Sequence, residues 1–268
     1  MTLLLLRNPH SVLASLARRP EAVQEIRLPV GKPAGAWAEV ADVARSHQIP
    51  VVSVVQTAQG AKGHKSERQG VACAQVWEKP AVSLADLFES ASSESTGAEK
   101  ASGVWLALDC LQDPHNVGAI FRTAAFFGVR GIIVTKDRSA PLTATAWDVS
   151  AGGLEAIPYA QPANLQHAIQ FAKEQGVWVL GSSEHAEKPL SAIPHDRPWL
   201  LLVGNEERGL RRLTLEACDE VCGIPAMGLV GSLNVSVATG IFLHTLKGGI
   251  PSISGNVAGE SSVAGDAM

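Results

Sequence analysis

The sequence predicts an α/β protein, a parallel sheet covered by helices on both faces and preceded by a smaller α/β unit. Three observations carry this. From residue 104 onward, short runs rich in Val, Ile and Leu alternate with helix-patterned stretches, as expected for strands buried on both faces. Residues 1–88 alternate helix and strand patterns over a shorter span, which suggests a small α/β sandwich. Between the two, residues 89–103 (ESASSESTGAEKASG) show no apolar periodicity and read as a flexible linker. The tail 248–268 is low in bulky residues and reads as disordered. The expected organisation is therefore 1–88, a linker 89–103, a second unit 104–247, and the tail. A chain of 268 residues with 46% hydrophobic and 18% charged residues has room for both cores.

In the first unit the patterns give a helix over His10–Arg18, a strand at Val23–Leu28, a helix over Ala36–His47 and a strand at Val51–Val54. A polar stretch, GAKGHKSERQG (60–70), then leads to a strand at Val71–Val76. That stretch holds Lys62, His64, Lys65 and Arg68. It is either a solvated loop or a contact to an RNA backbone, and charge alone does not choose between them. In the second unit, strand WLALD (105–109) leads to a helix capped by Asn116, and strand GIIVT (131–135) follows. A helix near Ala144–Ser150, strand AIPYA (156–160), a helix over Asn164–Gln175 and strand VWVLG (177–181) come next. Strand WLLLVG (199–204) precedes a short helix around Leu213–Cys218, strand EVCGIP (220–225) and a helix opening at Ser232.

Composition narrows the function classes. Net charge is −4, but the first 88 residues carry ten basic against seven acidic side chains, compatible with a local phosphate-facing patch. The N-terminal apolar run is too short for a signal peptide, and no segment approaches the ~20 apolar residues of a membrane span, so a cytosolic protein is expected. Cys218 and Cys222 stand four apart, a helical repeat that reads as small core residues in a reducing compartment, and no clustered ligands call for a metal. A dinucleotide fold fails because CLQDPHNVG (110–118) lacks the glycine fingerprint.

In a parallel sheet, ligands belong at the carboxyl ends of strands. Three loops there are informative. The first is Asp113–Ala124, in which Val117, Ile120, Phe121 and Ala124 form a core face and Arg122 lies off it, either solvated or free to bind a phosphate. The second is Gly204–Leu210, with Glu206 at a strand end, either a plain turn or an acceptor over a ligand. The third runs Ile224–Ser236. Capping explains Ser232 but not Asn234 and Ser236 as well, and Ile224 and Leu233 suit the walls around a planar ring.

Together these loops resemble the signature motifs of the TrmH/SpoU family of RNA ribose 2′-O-methyltransferases, within the SPOUT superfamily. The first is similar to N-x-G-x-x-x-R (Asn116, Gly118, Arg122) and the second to G-x-E-x-x-G-L (Gly204, Glu206, Gly209, Leu210). The third is similar to I-P-x-x-G-x-x-x-S-L-N-V-S-x-A, without a gap from Ile224 to Ala238. Arg68-Gln69-Gly70-Val71 resembles the H-Q-G-[IV] segment that ends a ribosomal-protein-like substrate domain in the family, with Arg in place of His. The subgroup it most resembles methylates a guanosine in bacterial large-subunit ribosomal RNA, and close relatives act on transfer RNA.

The resemblance implies a deep trefoil knot formed by the three loops, S-adenosyl-L-methionine as cofactor, and a homodimer buried through the apolar helix 235–246. It implies catalytic roles for Arg122, Asn116, Glu206, Ser232 and Asn234, and a cofactor pocket lined by Gly204, Ile224, Leu233, Met227 and Ser236. Arg122 would hold the target phosphate and steady the developing alkoxide rather than act as a base, since a guanidinium with pKa above about 12 keeps its proton. His115 is the conventional alternative base. Two readings from other classes stand beside this one. The first is an RNA-binding assembly factor without catalysis, and the second a small-molecule enzyme on a doubly wound sheet.

Overall fold

The computed structural model describes residues 1–54, 72–92, 103–135 and 139–248. The basic stretch 60–70, the Arg68–Val71 segment, most of the expected linker and the tail lie outside the described residues.

The first unit is a four-stranded sheet built from β1 (Leu3–Leu6), β2 (Val23–Pro29), β3 (Val51–Val54) and β4 (Cys73–Trp77), in the order β1-β4-β2-β3. Helices α1 (Pro9–Arg18) and α2 (Ala36–Ser46) accompany it. Strand β1 was not anticipated. Its four consecutive leucines show no alternation, yet Leu4 and Leu6 are buried and the strand pairs antiparallel with β4 from Leu3↔Trp77 to Leu6↔Ala74.

The large sheet has six parallel strands in the order β10-β8-β9-β5-β6-β7. These are β5 (Val104–Leu108), β6 (Gly131–Val134), β7 (Tyr159–Ala160), β8 (Trp178–Ser182), β9 (Trp199–Val203) and β10 (Glu220–Cys222). Alternation explains why β5 and β9 read as unbroken apolar runs. Val104, Leu106 and Leu108 join one core while Trp105 and Ala107 join the other, and Leu201 and Leu202 divide likewise. The first core is covered by α4 (Pro114–Phe126), α5 (Ala144–Ser150), α6 (Gly153–Ala156) and α9 (Val235–Leu246). The second is covered by α3 (Leu84–Ser92) and α7 (Leu165–Glu174), with α8 (Arg212–Glu216) beside them.

Several local expectations are corrected. The α4 cap is Asp113, whose side chain accepts from the His115 N–H, with Pro114 in the first turn, so Asn116 lies inside the helix. The last helix opens at Val235 with Asn234 as its cap, so Ser232 does not cap it. The expected strand 156–160 shrinks to Tyr159–Ala160, because Ala156 closes the short helix α6. Helix α3 runs into the segment expected to be linker and packs on the large sheet, where Phe88 meets Trp105 at 5.4 Å between ring centroids.

The first unit is bolted to the second along α1. Asn8, Ser11, Ser15 and Arg19 recur at helical spacing and face α5 and α6. The Arg7 and Asn8 N–H groups donate to the Asp148 carboxylate, and the Ser11 hydroxyl to the Trp147 carbonyl at 2.7 Å. Arg19 forms a forked pair with Glu155, Nη2 to Oε1 at 2.6 Å and Nε to Oε2 at 3.0 Å, and Ser15 adds a third bond at 2.8 Å. Lys79 donates to the carbonyls of Glu155 and Ile157, both at 2.9 Å, where α6 ends, although burial lowers its ammonium to about 8. One continuous apolar core runs from Leu4 and Leu16 through to Phe121 and Trp147.

Ala151 ends α5 with φ 48°, in the left-handed region that favours glycine. Ala151→Gly should therefore raise stability by about 0.5–1 kcal/mol, read from urea unfolding. A loss of stability would mean that the Ala151 methyl packs usefully.

Candidate active site

The strand order creates the site. Strand β9 inserts between β8 and β5, so the loops after β5, β8, β9 and β10 converge at one edge of the carboxyl ends. Between them lies a cleft of about 650 Å³, within the range of cofactor sites. Its apolar wall includes Ile224, Leu233, Val235, Ala238 and Phe242, and its floor is the backbone of Gly204.

Gly204 is required by close approach, not by a left-handed backbone. A Cβ there would stand 2.2 Å from the Gly209 carbonyl carbon and 2.3 Å from the Leu210 nitrogen. The turn 205–209 closes on itself, Asn205 N–H to Gly209 carbonyl at 3.0 Å and the reverse bond at 2.9 Å, with Gly209 at φ +64°. The Gly118 position is also too tight for a side chain, since a Cβ would meet the Ala146 carbonyl oxygen at 2.6 Å, and its absence lets α4 lie against α5.

A hydrogen-bonded chain joins the three sequence motifs. Asn116 Nδ2 donates to Glu206 Oε1 at 3.2 Å, and Asn234 Nδ2 donates to Asn116 Oδ1 at 3.0 Å. Asn234 Oδ1 in turn accepts from the Ser236 N–H at 2.9 Å and hydroxyl at 2.6 Å. Each amide is thereby fixed in orientation, since an Asn with its oxygen and nitrogen both engaged cannot flip without loss. Glu206 projects beside this chain at the cleft.

Of the sequence-expected residues, Gly204, Glu206, Ile224, Met227, Ser232, Leu233 and Asn234 line the cleft. Met227 is 97% exposed there, at the outer lip. Ser236 touches the cleft only through Asn234, and Asn116 only through Glu206 and Asn234. Arg122 is not brought to it. Six residues beyond Asn116, about 240° around α4, it is exposed and makes no hydrogen bond or ion pair among the described residues. His115 is likewise on the exposed first turn, its N–H held by Asp113.

Sequence reasoning missed three contributors. Asn205 bridges the site, donating to Glu206 Oε2 at 3.2 Å and to the Cys110 carbonyl at 3.0 Å. The turn Ser182–His185 after β8 closes one side of the cleft. Asp109, wholly buried where β5 ends, holds Arg211 and Thr214 at 2.8 and 2.9 Å. A lone acid ending an apolar strand was the available signal. Burial pushes the Cys218 and Cys222 thiols up to about 12, so both stay protonated near neutral pH.

A parallel α/β sheet with its polar network and cleft at the carboxyl ends, rather than a glycine-rich phosphate loop, sets this fold apart from the dinucleotide binders. Residues 103–244 match the family model described as the SpoU rRNA Methylase family, and the chain belongs to that family. It is 36% identical over 242 residues to the 23S rRNA (guanosine-2'-O-)-methyltransferase RlmB of Pseudomonas aeruginosa, covering 88% of this chain and 93% of that one. The protein of the same description from Neisseria meningitidis is 35% identical over 240 residues, covering 89% and 92%. Among solved structures, the SpoU methyltransferase AviRb from Streptomyces viridochromogenes superposes with a TM-score of 0.73 at 20% identity, covering 91% of this chain and 88% of that one.

Proposed function

We propose that this protein transfers a methyl group from S-adenosyl-L-methionine to the 2′-hydroxyl of a guanosine ribose in 23S ribosomal RNA. The observation that carries the reading is the Glu206–Asn116–Asn234 chain, which ties three separate loops into one rigid wall beside the cleft. Relatives at 35–36% identity over nearly the whole chain bear the corresponding description, which favours ribosomal over transfer RNA.

The cleft fits the cofactor by volume and by lining, with apolar side chains for a planar ring and the main chain of Gly204 and Ile224 along its wall for polar groups. When bound, the cofactor supplies a sulfonium methyl that is already a strong electrophile. The protein's task is placement and activation of a weakly acidic hydroxyl. Transfer would join the ribose 2′-oxygen to the methyl carbon as the carbon–sulfur bond broke, with that electron pair kept by sulfur and the 2′-proton passing to solvent water. Glu206, Ser232 and Asn234 hold the reacting ribose against the cleft, and Asn116 fixes Glu206 and Asn234 from behind. Arg122, outside its own chain's cleft, grips the target's phosphate from the surface of α4 and so steadies the substrate.

The three loops pack as a trefoil knot in this reading. In support, the chain leaves β10 at one sheet edge and returns so that α9 lies on α4, where Gly240 would place a Cβ 3.6 Å from Thr123. The first unit serves as the RNA-binding arm, and the protein works in the cytoplasm as a homodimer. No described helix is long and apolar enough to cross a membrane. Val237, Ile241 and His244 share one exposed face of α9, and Phe126 at the end of α4 is 83% exposed, which gives a second copy an apolar surface to cover.

The test is transfer of labelled methyl to total ribosomal and transfer RNA. Native protein should place a 2′-O-methyl nucleotide in 23S RNA. Arg122→Ala should lower turnover by roughly 100-fold or more while cofactor affinity stays within about twofold. Label confined to transfer RNA would replace the substrate, and absence of both transfer and cofactor binding would sink the reading.

A further inference from the structure

Across the 205–209 turn from the cofactor cleft lies a second cavity of about 190 Å³, walled by Cys110 and Gln112 after β5, by the turn, and by Arg211. It is smaller than the roughly 300 Å³ at which sites for drug-sized ligands begin. Its most constrained wall is Arg211. Asp109, with 0% of its side chain exposed, accepts from Arg211 Nη2 at 2.8 Å and Nε at 3.2 Å. Thr214 and the Arg211 N–H add bonds to the same carboxylate at 2.9 and 3.4 Å. A carboxylate is buried at this cost only when paired, and the pairing here fixes one edge of the guanidinium.

The other edge, Nη1, has no partner among the described residues, and the Arg211 side chain remains 49% exposed at the cavity. Arg208 lines the same cavity, its guanidinium likewise without a partner among the described residues, and Gln112 is exposed beside them. Glu207 is the one acid on that wall, apart from the Asp109 carboxylate that Arg211 covers. Two guanidinium groups, one of them held rigid, form a donor set that matches a small oxyanion. The cavity also borders the site, because its wall residue Asn205 bonds to Glu206.

We propose that Arg211, oriented by the buried Asp109, and Arg208 bind a phosphodiester of the RNA substrate beside the reacting nucleotide. This rests on the RNA methyl-transfer reading above. An alternative oxyanion is the cofactor's own carboxylate, which would enter the neighbouring cleft instead, and the test separates the two.

Arg211→Lys keeps a cation against Asp109 but removes the free edge, and Arg208→Ala leaves Asp109 untouched, so both variants should fold. RNA affinity for a 23S transcript would be measured against salt for the full-length native and doubly substituted proteins, with cofactor affinity measured alongside. Loss of one phosphate contact should reduce the slope of log affinity against log salt by about 0.7–0.9, and lower RNA affinity by roughly tenfold at low salt. The KM for RNA should rise while cofactor affinity is unchanged. An unchanged slope and KM would overturn the proposal. Weakened cofactor binding with intact RNA binding would also overturn it, in favour of the cofactor's carboxylate. Because the slope is read without turnover, it decides the cavity even if native protein transfers no methyl, a result that would count against the function instead.

Discussion

Gly204→Ala should cost methyl transfer about 100-fold and weaken cofactor binding, though it adds a single methyl group. The added Cβ would overlap the backbone of Gly209 and Leu210 at 2.2–2.3 Å, and no flexible side chain is there to yield. The turn itself must move, and Glu206 and Asn205 move with it, taking one end of the chain through Asn116 to Asn234. Displacing a positioned group by ~1 Å is worth about two orders of magnitude in rate. Overpacking should also cost about 1–3 kcal/mol in stability. Gly209→Ala is the control within the same motif. Nothing lies within 4 Å of its Cβ, and only the left-handed φ of +64° is strained, so about 1 kcal/mol is expected with a smaller effect on turnover. If the two variants were indistinguishable in cofactor titration and turnover, close approach at Gly204 would not be the reason for that glycine.

The second large effect is expected far from the cleft. Glu155→Ala should destabilise the protein by about 3–5 kcal/mol, lowering the melting temperature by roughly 10 °C. Glu155 is 2% exposed and accepts three bonds, two from Arg19 and one from Ser15, so its removal strands a mostly buried guanidinium between the two units. Replacing both partners by apolar residues, Arg19→Met with Glu155→Leu, should recover most of the loss, because no unpaired charge is then left behind. Amide exchange should show whether α1 loosens first in the single variant. A melting temperature within about 2 °C of native for Glu155→Ala would mean that the pair is not what fixes the first unit in place. The orientation of the proposed RNA-binding arm would then rest on the shared apolar core alone.

How much of this was legible beforehand depended on how local each signal was. The α4 cap was legible and misread. Asp113 followed by Pro114 is the stronger start signal, since proline suits the first helical turn, whereas Asn116 was needed three residues later for Glu206. At α9 the same competition went to Asn234 over Ser232, and one amide both caps the helix and reaches Asn116. Strand β1 was hidden because four leucines in a row carry no period. Helix α3 was periodic enough to find, but nothing in its own residues says that its apolar face belongs to the large sheet.

The sequence by itself determined the parallel sheet, because strands buried on both faces must be apolar at every position. It also determined the three motif-bearing loops, since each is a contiguous run. Only the tertiary structure decided what those loops do to one another. Asn116 and Glu206 meet across 90 residues because β9 inserts beside β5, and Asn116 and Asn234 meet across 118 because the chain after β10 returns to lay α9 on α4. The same structure placed Arg122 outside the cleft, docked α1 onto Glu155, and set Asp109 behind Arg211. The physical reason is that hydrophobic period is a property of neighbouring residues, whereas strand order is chosen by how whole layers bury their faces.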